Sequence, residues 1–165
     1  MKKNILIITI LMTAISFQTA AAGLKTKSPE KFNKGDFFIG ANAGLGFGAV
    51  FTGNAEYAVH ENIGIGGIFG YSSFDLLWDK YKLMLVGVTG EYHIGIDNKD
   101  VDLSLGIMVG YFKFIEPKIL GANSISTFAR GVYVSGRYYI ADNVALKGKL
   151  GYSLSFIEVG IDFRL

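Results

Sequence analysis

The chain has 165 residues, half of them hydrophobic, with 22 glycines, two prolines and no cysteine. That length fits one domain, and the composition is neither disordered nor collagen-like. Without cysteine there is no disulfide framework and no thiolate metal or redox centre.

Residues 1–22 have the layout of a secretory signal peptide. Lys2 and Lys3 form a positive start, Ile5 to Phe17 an apolar stretch, and Ala20-Ala21-Ala22 a small-residue cleavage site. The apolar run is short of the ~20 residues a spanning helix needs. The formal charge of +2 falls to zero when Lys2 and Lys3 leave, with 14 basic and 14 acidic residues remaining. No nucleic-acid partner is therefore expected. Residues 23–34, with Lys25, Lys27, Lys31 and Lys34, read as a mobile, solvated lead.

From residue 35 onward the hydrophobic period is two, the signature of strands. The first strand sets Phe37, Ile39, Ala41 and Ala43 against Gly40, Asn42 and Gly44. A loop at 49–53 leads to a second, with Tyr57 and Val59 on one side and Glu56 and His60 on the other. The third opposes Ile63, Ile65, Phe69 and Tyr71 to Gly64, Gly66 and Gly70, and a long connection follows at 73–82. The fourth sets Val86, Val88 and Tyr92 against Glu91 and His93, and the fifth Leu103, Leu105 and Tyr111 against Asp102 and Gly106. The longest connection, 113–126, precedes a sixth strand with Val132, Val134 and Tyr138 against Tyr133 and Arg137. The seventh opposes Leu146, Leu150 and Tyr152 to Lys147 and Lys149; the eighth opposes Ile157, Val159, Ile161 and Phe163 to Glu158, Asp162 and Arg164.

Two hairpins repeat one phrase: Tyr57, Asn62 and Gly70-Tyr71 match Tyr138, Asn143 and Gly151-Tyr152 at a fixed offset. A looser copy runs from Glu91 to Tyr111. Eight strands, with tight turns near Asn62, Asn98 and Asn143 alternating with variable connections, predict an all-β, antiparallel, up-and-down barrel. Alternation alone leaves two ways to turn it. A soluble, lipocalin-like barrel hides the apolar face; a transmembrane barrel shows that face to lipid and lines its lumen with polar groups. The glycine-rich polar face favours the second, because a narrow bore cannot hold the bulky set. Two tyrosine levels agree: Tyr57, Tyr92 and Tyr138 before the turns, and Tyr71, Tyr111 and Tyr152 about eight residues beyond them. Eight tilted residues rise about 20 Å, near the ~25 Å apolar band between aromatic girdles. Phe163 joins these interface aromatics.

The hairpins Tyr57–Tyr71 and Tyr138–Tyr152 and the last strand, Ile157 to Leu165, resemble the small eight-stranded outer-membrane barrels of the OmpX type and the OmpA transmembrane domain. The resemblance covers about residues 35–165. It implies a monomer in the bacterial outer membrane, contacting lipid and lipopolysaccharide, with its C-terminal strand read by the barrel-assembly machinery. That family ends in Phe or Trp, whereas this chain ends in Leu165 with Phe163 two places earlier.

The polar face carries a candidate lumen network of both signs: Glu56, Glu91, Asp102, Glu158 and Asp162 with Arg137, Lys147, Lys149 and Arg164. Lys149 should lie opposite or close to Glu158. The network reads either as a plug of ion pairs or as a gate whose pairs exchange to open a path. His60 and His93 flank the short turns, the wrong end for the rim catalysis of lipid-modifying barrels, and read as rim or satisfied lumen residues. Two histidines make an insufficient metal set. No catalytic residue, metal or cofactor is expected. The long connections place Phe74, Trp78, Tyr81, Phe114 and Ile119 where an extracellular protein partner or hydrophobic ligand would meet them. A structural or surface-interaction role is thus the leading expectation, ahead of a small pore or a route for hydrophobic compounds.

Overall fold

The structure, a computed structural model, describes residues 30–46, 48–76, 79–115 and 125–165. The signal-like segment 1–22, residues 23–29, Trp78 and Ile119 lie outside the described residues. Eight strands follow in order: β1 Phe37–Gly46, β2 Ala49–His60, β3 Ile63–Leu76, β4 Asp79–Gly95, β5 Val101–Ile115, β6 Ile125–Ala141, β7 Val144–Tyr152 and β8 Ser155–Arg164. Each pairs antiparallel with its neighbour, and β1 pairs with β8 to close the barrel. Closure gives every strand a partner on both sides, the condition for a sheet to cross lipid.

The polar set points inward. Glu56, Glu91, Asp102, Arg137, Glu158 and Asp162 are all buried, while Val86, Val132 and Val159 on the opposite parity are 61%, 62% and 64% exposed. A soluble barrel would reverse both. Five buried carboxylates beneath a bulky apolar exterior make this a transmembrane barrel and set aside the lipocalin-like reading.

Inward glycines make room for neighbouring side chains. A Cβ on Gly64 would run into the Glu56 carboxylate, and one on Gly106 into the Tyr133 ring. The charged network therefore fits because its neighbours on β3 and β5 carry no side chain.

Strand lengths are unequal. β4 and β6 run 17 residues each, β7 only nine. About 9–11 residues suffice to cross a bilayer, so β3 to β6 rise well past the others at the end away from the tight turns. The expected loop at 49–53 is strand, as β2 starts at Ala49. The expected connection at 73–82 is mostly hairpin, because alternation and pairing continue to Leu76↔Asp79. Phe74 and Tyr81 stack there, centroids 5.7 Å apart, so they meet each other rather than standing as separate loop contacts.

The bore has two halves. Near the tight turns it is charged; towards the long connections it is apolar, where Val50, Ile68, Leu83, Leu85, Met108 and Leu154 form a buried cluster with Phe112 and Phe114 packed against it.

Candidate functional site

The charged half is built around Arg137, near the tight-turn end of β6. Its Nε donates to Asp162 Oδ2 on β8 at 2.7 Å and its Nη1 to Asp102 Oδ2 on β5 at 3.3 Å. Its Nη2 donates to Glu56 on β2. The guanidinium also lies 4.4 Å above the Phe38 ring of β1. The planar fork spreads five donors over three nitrogens, so each of the three carboxylates meets a different nitrogen, where a lysine offers a single ammonium.

His93 on β4 completes this group. Its Nε2 is 2.8 Å from Glu56 Oε1, and its Nδ1 is 2.9 Å from both oxygens of Asp102. With a carboxylate at each nitrogen, the ring is held as a bridge between β2 and β5, and neither nitrogen is left free to act as a base. Beside it, Lys147 sits 3.3 Å from Asp162 and 3.9 Å from Glu91. Glu91 also accepts from Ser104 at 2.7 Å, Tyr133 at 2.9 Å and Ser135 at 3.1 Å.

Lys149 and Glu158 stand directly opposite each other in the β7–β8 ladder. Their side chains meet at 2.8 Å. Thr52 donates to the second Glu158 oxygen at 2.8 Å, Ser155 donates to the first, and the Lys149 ammonium lies 5.2 Å over Tyr133. Tyr133 thereby links this pair to Glu91.

Of the nine charged residues expected in the lumen, eight are in this network. Arg164 is not. It sits at the rim, where it pairs with Asp36 at 3.6 Å and donates to the Lys31 carbonyl at 3.2 Å. The reason is position: Arg164 closes the last strand, below the charged layer, and faces the incoming chain.

That incoming chain is the main departure from the sequence reading. The solvated lead is corrected at Lys31 and Phe32, which enter the mouth, while Glu30, Asn33 and Lys34 stay exposed. Phe32 is fully buried, stacked on His93 with centroids 3.7 Å apart and on Phe38 at 5.7 Å. Ala58, Tyr139 and Ala145 complete its pocket; the two alanines leave the space it fills. Lys31 reaches Asp100 at 3.2 Å and Asp142 at 3.4 Å, one acid from each of two tight turns. Its carbonyl also accepts from Tyr139 at 3.1 Å. The bend into the mouth is a turn closed by Asp36 N–H to Asn33 O at 3.0 Å, with Gly35 at φ 98°. A positive φ at the third turn position is a type II requirement that glycine meets without strain.

Among the interface aromatics, Tyr57, Tyr111, Tyr138, Tyr152 and Phe163 are exposed on the outer wall, and Tyr71 is half-buried. Tyr92 shares their parity, but with 7% exposure it cannot join the lipid-facing belt. It is flanked in register by Ile63 and Leu105. Phe114 is turned into the bore. The two histidines part: His60 is exposed at its turn, His93 buried in the bore. Ligand atoms of Glu56, Glu91 and His93 lie within 4.8 Å of one another. Arg137 and Lys147 already neutralise those carboxylates, so the set does not suit a further cation.

Phe32 is the residue sequence reasoning missed; the one available signal was a lone aromatic in a lysine-rich lead. His93 takes the satisfied lumen position expected of it, on the same face of β4 as Glu91.

Solved structures share this architecture at low identity. The N-terminal β-barrel domain of Pseudomonas aeruginosa OprF matches with TM-score 0.66 and 13% identity over 80% of this chain and 98% of that one. Neisserial surface protein A matches with TM-score 0.62 and 14% identity over 79% of this chain and 99% of that one. A barrel from a de novo transmembrane design study matches with TM-score 0.55 and 14% identity, over 85% and 99%. No protein-family model and no curated protein matches the chain. The likeness is one of fold: a small, closed, eight-stranded transmembrane barrel.

Proposed function

We propose that this chain is a bacterial outer-membrane protein whose bore is closed and whose role is structural or surface-interactive, in envelope integrity, adhesion or partner binding. The supporting observation is the double seal at the tight-turn end. The Arg137 network spans the bore from β6 to β8 and β2, and Phe32 lies against its His93 from below. An ion path there would have to break several charge-assisted contacts and displace a buried ring together. Export through cleavage after residue 22, assembly guided by the strand ending at Leu165, a monomeric state and contact with lipopolysaccharide belong to the same proposal. With His93 held at both nitrogens, the reading invokes no catalysis.

Recording from purified protein in planar bilayers tests this. The expected result is a silent membrane. Discrete, reproducible single-channel steps would overturn the closed reading and favour the pore.

A further inference from the structure

Above the charged layer, the apolar half of the bore holds a cavity of about 450 Å³ lined by Leu83, Phe112, Phe114, Ala129 and Leu154. That volume is within the range of small-molecule sites, ~300–1,000 Å³. One wall is low. The β6–β7 ladder starts at Val132↔Tyr152, so residues 125–131 of β6 stand above the end of β7. The cavity passes over Ser153 in the β7–β8 turn and reaches the outer surface, where Phe128 and Tyr152 are 52% and 62% exposed. Arg130, also exposed, stands at this opening. An apolar groove of about 600 Å³ on the outer wall, along Leu105, Val132, Val134 and Leu150, ends at the same Tyr152.

We propose that the cavity takes one acyl chain of an anionic membrane lipid, entering over the β7–β8 turn with its head group against Arg130. Three observations converge on that occupant. The groove and the cavity meet at Tyr152, which lines both, so the groove on the wall that faces lipid ends where the cavity opens. Both are mainly apolar, and a chain lying in the bore covers phenylalanine and leucine surface that the other described residues leave open at the rim. The charge at the entrance is a guanidinium, whose fork matches phosphate geometry.

The test uses the full barrel in nanodiscs containing phosphatidylglycerol with a diazirine near the end of one acyl chain. After irradiation, adducts are mapped by peptide mass spectrometry. Adducts are expected on the inward-facing Leu83, Phe112 and Leu154 as well as on the lipid-facing Val132 and Val159. Ala129→Phe, which fills the cavity, should abolish the inward adducts and leave the outward ones. Arg130→Ala should reduce the inward adducts severalfold, to the level given by a phosphatidylcholine analogue. Should Ala129→Phe lose the heat-shifted gel mobility of a folded barrel, the exposed Arg130→Ala carries the test. Labelling confined to outward-facing residues, or inward labelling that Arg130→Ala leaves unchanged, would overturn the proposal. So would a photoreactive free fatty acid that outcompetes the labelled lipid for the inward positions.

Discussion

The Phe32 ring lies almost parallel to the imidazole of His93, 13° between planes and 3.7 Å between centroids. A residue from the lead thus rests on the side chain that bridges Glu56 and Asp102. Replacing Phe32 with alanine removes the stack and leaves a hole between Ala58, Tyr139 and Ala145. We expect a loss of ~3–5 kcal/mol, the usual cost of truncating a buried phenylalanine. Urea titration of the reconstituted barrel measures it. A cost within experimental error would mean that the lead does not hold the mouth.

The Lys149–Glu158 pair separates a plug from a gate. Lys149→Met alone leaves Glu158 buried without its cation and should cost ~3–5 kcal/mol. Combining it with Glu158→Gln should recover most of that loss, because both charges are then gone. Throughout, a plug stays electrically silent. New conductance in the single variant, with unfolding unchanged, would instead assign the pair to gating.

Arg137→Lys tests whether the hub depends on fork geometry or on charge alone. A single ammonium cannot reach Asp162, Asp102 and Glu56 together. Destabilisation by roughly 2–4 kcal/mol is expected, close to that of removing a buried ion-pair partner. A near-neutral result would show that net charge in the bore is what counts.

Gly106→Ala places a methyl group within the Tyr133 ring. Overpacking of this kind costs about 1–3 kcal/mol. In a Tyr133→Ala background the same substitution should cost markedly less, since the clashing ring is gone. A double-mutant cycle in urea measures that coupling, and strict additivity would contradict the contact.

Much of the barrel was legible because strand period and face are one fact: Glu56, Asp102, Arg137 and Glu158 fell on one parity and share one interior. Their partner choice was less legible, apart from Lys149 with Glu158, which hairpin register places face to face. Arg137 meets Asp102, its register partner on the neighbouring β5, and collects two more carboxylates from β8 and β2, a choice set by reach across the bore. Parity also gives no height. Ile68, Leu83, Leu85 and Met108 lie on the inward parity with the charges, but further towards the long connections, so the change from charged to apolar bore appears only once the ladders fix levels. Phe32 belongs to no period at all; its place depends on Gly35 bending the chain and on the small Ala58 and Ala145 opposite.

The Arg137 hub has a mechanical consequence for the cylinder. Backbone ladders fix the spacing of neighbouring strands, yet they leave the cross-section free to flatten into an ellipse without breaking a bond. Contacts from β6 to β8, the next strand but one, and to β2 on the opposite wall act as spokes of different length, fixing distances across the ring as well as around it. Lateral pressure from the bilayer then meets a braced ring at the tight-turn end, while the apolar half, without spokes of this kind among the described residues, is the compliant end.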